Sequence, residues 1–157
     1  MKLTNDDLER LFKDLQEWIK AKLKEIGAEE IVLGISGGKD STVAAAICSH
    51  AIGKDKVHGL LMPRGEDKNL SDGIEICESL GINYHVLDIG KITNDFEELI
   101  SQTDIDFSRQ AKLNLPPRVR MTLMYAYAQS LSNALVINTS NLSEDYIGYV
   151  TIYGDSA

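Results

Sequence analysis

The stretch Ile31–Ile47, IVLGISGGKDSTVAAAI, decides how the rest of the chain is read. A short apolar run, Ile31 to Ile35, suits a buried strand. It empties into Ser36-Gly37-Gly38, and an alanine-rich helix resumes near Ser41. Two chemistries compete for the turn. Gly34-Ile35-Ser36-Gly37-Gly38 satisfies the G-x-S-x-G pattern of a nucleophile elbow. The same residues also make an anion-binding turn. A glycine pair at a helix start offers free N–H groups and the positive end of the helix dipole, and Ser36 and Ser41 add hydroxyl donors.

The elbow needs a partner histidine on a late loop. The histidines here are His50 at a helix end, His58 at the start of a second strand and His85 inside a third. A Walker loop requires Ser or Thr after its lysine, but Asp40 follows Lys39. The dinucleotide fingerprint G-x-G-x-x-G is absent as well. Asp40 would repel a phosphate directly, so it makes most sense holding a divalent cation against one. A plain tight turn with an acid near a helix N-terminus is the alternative. It leaves the paired glycines and both serines unexplained.

Outward from this stretch, strand and helix patterns alternate. Before it, Thr4 with Asp7 resembles a capping box, and Leu8, Leu11, Phe12, Leu15, Trp18, Ile19, Leu23 and Ile26 recur at helical spacing up to Gly27. After it come a strand at 57–62, a helix at 71–80 closed by Gly81, and a strand at 84–87. A short helix at 95–101 follows, capped by Thr93. Residues 102–115 read as a polar loop, and Pro116-Pro117 open a helix to about Leu131. A strand at 134–137 leads into the polar turn NTSNLSED. The pattern predicts an α/β fold, a three-layer doubly wound parallel sheet with flanking helices and ligands beyond the carboxyl ends of the strands. SGGKDS, PRGED and NTSNLSE each follow a strand end, so they are expected to share one rim.

Bulk properties narrow the classes. At 157 residues the chain suits a single domain spanning 1–157. A net charge of −8 argues against broad nucleic-acid binding. No apolar run reaches the ~20 residues of a membrane helix. The two cysteines, Cys48 and Cys77, have no C-x-x-C spacing and suit a reducing cytosol, hence a cytoplasmic protein.

Ser36-Gly37-Gly38-Lys39-Asp40-Ser41 resembles the SGGxDS loop of the N-type ATP pyrophosphatases. Three later segments resemble the ammonia-dependent NAD synthetases in order and spacing. They are Arg118-Val119-Arg120-Met121 with Tyr125, Asn138-Thr139-Ser140-Asn141-Leu142-Ser143-Glu144, and Gly148-Tyr149-Val150-Thr151-Ile152-Tyr153-Gly154-Asp155. The resemblance runs from about Ile31 to the last residue.

The resemblance implies an adenine-nucleotide alpha-hydrolase-like fold. It implies a ligase that amidates deamido-NAD to NAD through an adenylated intermediate, with ammonia as nitrogen source and AMP and pyrophosphate released. ATP and Mg2+ are implied as co-substrate and metal. Gly34, Ser36, Gly37, Gly38, Lys39, Asp40, Ser41, Arg64 and Thr139 are assigned to ATP, and Arg118 and Tyr125 to the dinucleotide. Asp40 and Glu144 are assigned to magnesium, and no residue acts as a covalent nucleophile. Arg120 adds to the same positive patch or pairs with a carboxylate. The plain alternatives are surface roles for Arg64 and Glu144 and core packing for Tyr125. The family also implies a homodimer, and a separate glutaminase subunit is not indicated. Its members continue beyond Tyr-Gly-Asp, so the chain reads as truncated at its C-terminus. Ile152 stands where some members carry a substrate-binding lysine. The alternatives are another SGGxDS adenylating enzyme, GMP-synthetase-like or tRNA-modifying, or a non-catalytic nucleotide-binding fragment.

Overall fold

The computed structural model describes residues 3–155. Helix α1, Asn5–Ile26, begins with the expected capping box. The Asp7 N–H donates to Thr4 Oγ1 at 3.2 Å, and the Thr4 N–H donates to the Asp7 carboxylate at 3.0 Å. Gly27 ends the helix with φ +80°, a conformation that costs glycine nothing. Ile19 and Leu23 are its buried residues, and they anchor it in the core beside the next helix.

The sheet has the order β3-β2-β1-β4 and every pairing is parallel. Its strands are β1, Glu30–Gly34; β2, Val57–Leu61; β3, Asn83–Val86; and β4, Ala134–Ile137. Ile31 stands opposite Val57 on one side and Leu135 on the other, while Gly59 stands opposite Tyr84. The chain moves outward from β1 to β3 and then returns to place β4 on the free side of β1. The order therefore reverses between β1 and β4, and a crevice opens at such a reversal in doubly wound sheets.

Strand side chains alternate between two cores. Ile31, Leu33, Val57 and Leu61 face α1, α2 (Lys39–Ile52) and α3 (Leu70–Leu80). Val32 and Leu60 face Ile89, Val119 and Ala128, the last two on α5 (Arg109–Ser130). Both faces are thus covered, as all-parallel sheets require, and the three-layer arrangement agrees with the sequence expectation.

Three expectations fail. Helix α4 runs Gly90–Ser101, five residues earlier at its start than expected, and Thr93 lies inside it rather than capping it. Thr93 is fully buried and its hydroxyl donates to the carbonyls of Ile89 and Gly90. The helix start is served instead by Asp88, whose carboxylate accepts the Gly90 N–H at 2.7 Å.

Residues 102–115 are not a continuous loop, because α5 begins at Arg109 behind an Ser108 cap that accepts the Ala111 N–H at 3.2 Å. Pro116 and Pro117 therefore sit inside α5 rather than opening it. They lack the N–H groups that would bond to the carbonyls of Lys112 and Leu113, a loss tertiary packing must offset. Pro116 is buried, and Pro117 lies so close to Gly154 that a Cβ there would stand 2.9 Å from the Pro117 Cβ. Finally, the polar turn after β4 contains a short helix, α6, Leu142–Ile147, closed by Gly148 at φ +67°.

Candidate nucleotide site

The loop between β1 and α2 is held by its own serines. Ser41 Oγ donates to the Gly38 carbonyl at 3.1 Å, lies 3.1 Å from Ser36 Oγ, and accepts the Ser36 N–H at 3.3 Å. Ser36 Oγ accepts the Gly38 N–H at 3.2 Å. Ser41 is 3 % exposed, whereas Ser36 is exposed. One serine ties the turn from inside while the other faces out. Gly37 adopts φ +76°, and a Cβ there would stand 2.6 Å from the Asn69 carbonyl oxygen. Gly38 is the N-cap of α2 and carries no side chain to occupy the first-turn N–H groups. A side-chain-free cap leaves those donors for an anion.

Among the described residues Ser36 has no histidine partner. His50 Nδ1 contacts the Ala46 carbonyl, and His58 sits between Glu30 and the Tyr127 hydroxyl. Among the described residues the elbow's histidine partner is not in place, while the glycine turn at the start of α2 is formed.

A cleft of about 360 Å³ opens along the carboxyl ends of β1, β2 and β4. Ser36 reaches it from β1, Asp67 from the β2 loop and Thr139 from the β4 loop. The three polar segments that the sequence places on one rim do share it. The floor is apolar, with Leu60, Met62 and Met124, which suits a flat ring. A neighbouring cleft of about 120 Å³ shares Gly34, Met124, Thr139 and Asp155 with it and adds Tyr125 and Met121. Gly34 is tight here: a Cβ would lie 3.4 Å from Met124 Sδ.

The remaining expected residues divide into two groups. Gly37, Gly38, Lys39, Asp40 and Ser41 form the turn and first helical residues beside the cleft, with Lys39 and Asp40 exposed. Tyr125 is 45 % exposed and edges the smaller cleft, so it is not a core residue. Arg64 points elsewhere: its Nη2 pairs with the Glu97 carboxylate on α4. Arg118 is exposed, and its Nε donates to the Ile152 carbonyl at 3.1 Å. Glu144 is half-buried and completes a capping box on α6, its Oε2 accepting the Asn141 N–H at 3.0 Å.

Residues assigned no site role from the sequence complete the walls, several of them within the motifs that carry the resemblance. The Thr151–Asp155 turn folds back onto the β4 loop, where the Asp155 carbonyl accepts Asn138 Nδ2 at 2.8 Å and Ser140 Oγ at 3.0 Å. Thr151 Oγ1 donates to Asn114 Oδ1 at 3.2 Å, tying the turn to α5 as well. Tyr153 takes φ +61° within it and is the one non-glycine residue with positive φ among the described residues. Gly154 and Asp155 thereby reach the cleft. Asp88 steadies the loop after β2, which brings Pro63 and Asp67 to the cleft, by accepting the Gly65 N–H at 3.1 Å. Those two N–H bonds, the Gly90 one first, hold its carboxyl below the usual carboxylate range.

The comparisons agree with this geometry. A protein-family model described as NAD synthase matches residues 11–157. The chain is 41 % identical over 151 residues to the NH3-dependent NAD+ synthetase of Thermococcus sibiricus, covering 96 % of this chain and 58 % of that protein. It resembles the solved NH3-dependent NAD synthetase from Campylobacter jejuni, in complex with the nitrate ion, at TM-score 0.83 and 37 % identity. That match covers 94 % of this chain and 62 % of the other. The NMN synthetase from Francisella tularensis is similar at TM-score 0.86 and 31 % identity, over 95 % of this chain and 61 % of its own. The chain thus spans rather more than half the length of these relatives. Sequence, fold and the cleft at the β1–β4 reversal lead to one assignment: the chain belongs to the NAD synthase family.

Proposed function

We propose that the chain carries the nucleotide-binding part of an ATP-dependent amidating ligase. Its reaction converts deamido-NAD to NAD, using ammonia and releasing AMP and pyrophosphate. The observation that carries this reading is the serine-tied SGGKDS turn at the β1–β4 reversal. It opens on a cleft whose apolar floor and polar rim suit an adenine nucleotide.

In this reading the pyridine carboxylate attacks the α-phosphorus of ATP. Pyrophosphate leaves, and ammonia then displaces AMP from the acyl-adenylate to form the amide. The protein supplies no covalent nucleophile. The N–H groups of the first turn of α2 and the Ser36 hydroxyl receive the departing pyrophosphate oxygens, in a turn already held in shape by Ser41. Preorganised donors of this kind stabilise developing charge without reorganising. The cleft aligns the two substrates, which supplies the rest.

Magnesium belongs to the proposal too. Among the described residues no group of three or more His, Cys, Asp or Glu side chains is placed to hold a metal. Asp40 is exposed beside the loop, and Glu144 engages Oε2 in its cap while Oε1 has no protein partner among the described residues. In this reading these two carboxylates would hold a magnesium ion, a hard cation that takes oxygen ligands. Bound there, the ion would neutralise phosphate charge.

A homodimer completes the reading. The solvent-facing Ile92, Phe96 and Leu99 of α4 offer an apolar face for a second copy. The NMN synthetase likeness makes nicotinate mononucleotide the competing acceptor.

The test is to incubate the protein with ATP, magnesium and ammonium, supplying deamido-NAD or nicotinate mononucleotide in parallel. Formation of NAD, AMP and pyrophosphate is expected. ADP and phosphate instead would sink the adenylation mechanism. Amidation of the mononucleotide alone would move the acceptor.

A further inference from the structure

Arg120 is the basic residue that lines the main cleft. It lies on α5, and its Nε donates to the Met62 carbonyl at 3.0 Å, where the chain leaves β2. That bond anchors the guanidinium at the edge of the cleft. Neither Nη nitrogen has a protein partner among the described residues, and Arg120 forms no ion pair there. No buried side-chain nitrogen among the described residues lacks a partner, so the two Nη groups are not sealed in protein. They open on the cleft that the residue lines. Arg64, by contrast, spends Nη2 on Glu97, and Arg118 lines neither cleft.

We propose that Arg120 is the oxyanion receptor of the cleft, its two free Nη groups forking onto a nucleotide phosphate or the pyridine carboxylate. The inference rests on the nucleotide reading above. Burial depresses the Arg120 pKa, Asp67 opposes that, and the like charge of Arg64 adds to it. An arriving oxyanion would compensate a cation that has no ion-pair partner among the described residues. The planar fork matches two oxygens at once, which an ammonium cannot do. The Nε bond supplies the preorganisation, because the fork does not have to be ordered when the ligand arrives. Met124 and Met62 flank the site with apolar surface, which strengthens a charge-assisted bond relative to one in open water.

Paired ligands that differ by one anion provide the test. AMP and adenosine differ by the phosphate, deamido-NAD and NAD by the pyridine carboxylate. Calorimetric titration of each pair into the wild type and Arg120→Gln gives four affinity ratios. The expected result is that the wild type prefers the anionic member of at least one pair. Arg120→Gln should then lose that preference by about tenfold to a hundredfold, the scale of a charge-assisted hydrogen bond, while adenosine binding persists. Loss on the AMP pair identifies the phosphate, and loss on the deamido-NAD pair the carboxylate. Arg120→Lys should recover only part of it.

Both preferences surviving in Arg120→Gln would overturn the receptor role and leave the nucleotide reading standing. A wild type that binds none of the four ligands would overturn both. Should the variant fold poorly, the Arg120 Nη resonances of the wild type carry the same information. They should shift with the anionic member of a pair and not with the neutral one, and equal shifts with both would overturn the proposal.

Discussion

Gly37 approaches Asn69 so closely that a Cβ on Gly37 would stand 2.6 Å from the Asn69 carbonyl oxygen. The turn after β1 is therefore seated against the N-terminus of α3, and its shape depends on two elements distant in sequence. The same carbonyl accepts the Gly73 N–H at 3.0 Å, so it cannot move aside without breaking the first turn of α3.

Gly37→Ala should be the most damaging substitution in the loop. It combines a left-handed φ of +76° with a backbone clash, and strained positions of this kind cost about 1–3 kcal/mol. The neighbouring Gly38→Ala, at φ −85°, meets only the Ser36 hydroxyl at 3.2 Å and should cost less. Urea unfolding of both variants decides. Equal losses would mean that the Asn69 contact does not constrain the loop.

Ser41→Ala should destabilise by about 1–2 kcal/mol, because it removes a buried hydroxyl and leaves the Ser36 N–H without the acceptor that ties the turn. Ser36→Ala, at an exposed position, should leave stability nearly unchanged and weaken nucleotide binding instead. Thermal unfolding alongside ATP titration separates the two serines. The same effect from both would remove the distinction between inner tie and outer donor.

Asp88 links the loop after β2 to the start of α4, and its carboxyl titrates below the ordinary value of about 3.9. A depressed carboxylate contributes stability that is present above its unfolded pKa and lost as pH falls through the folded one. The loop at Gly65 should accordingly loosen only in acid, below about pH 4. Gly65 and Gly90 amide shifts followed by NMR should report a common midpoint. Asp88→Asn keeps an acceptor and should abolish that midpoint, while Asp88→Ala should loosen the loop at every pH. A Gly65 shift that titrates unchanged in Asp88→Asn would show that another group controls it.

Cys48 and Cys77 should be inert. Both are buried, and burial lifts each thiol to about 11, so little thiolate exists near neutrality. Maleimide at pH 7 should label neither in the native protein and both after denaturation. Rapid native labelling would place one of them outside the core.

Much of the fold was legible from local patterns. Thr4 and Asp7 announce the start of α1, Gly27 and Gly81 announce helix ends, and the apolar runs mark four strands. Their alternation with helices leaves a parallel sheet as the natural arrangement. The site was partly legible. Ser36 and Thr139 follow strand ends, and parallel strands bring their carboxyl ends to one edge, so both reach the cleft. The failures share a cause. Pro116 and Pro117 signal a helix start locally, yet packing under the Gly154 turn keeps them inside α5. Thr93 has a good capping side chain, but Asp88 already serves the helix start five residues earlier.

By itself, then, the sequence determined the strands, the polar turns that follow them and the family pattern, because hydrophobic period and turn chemistry are local properties of the chain. The tertiary structure decided which of the arginines lines the cleft. Three arginines look alike in sequence, but a guanidinium's role depends on what its nitrogens touch. Glu97 on α4 takes Arg64, the Ile152 carbonyl takes Arg118, and the Met62 carbonyl holds Arg120 by its Nε alone at the edge of the cleft. Those partners lie 33, 34 and 58 residues away, so only folding brings them together.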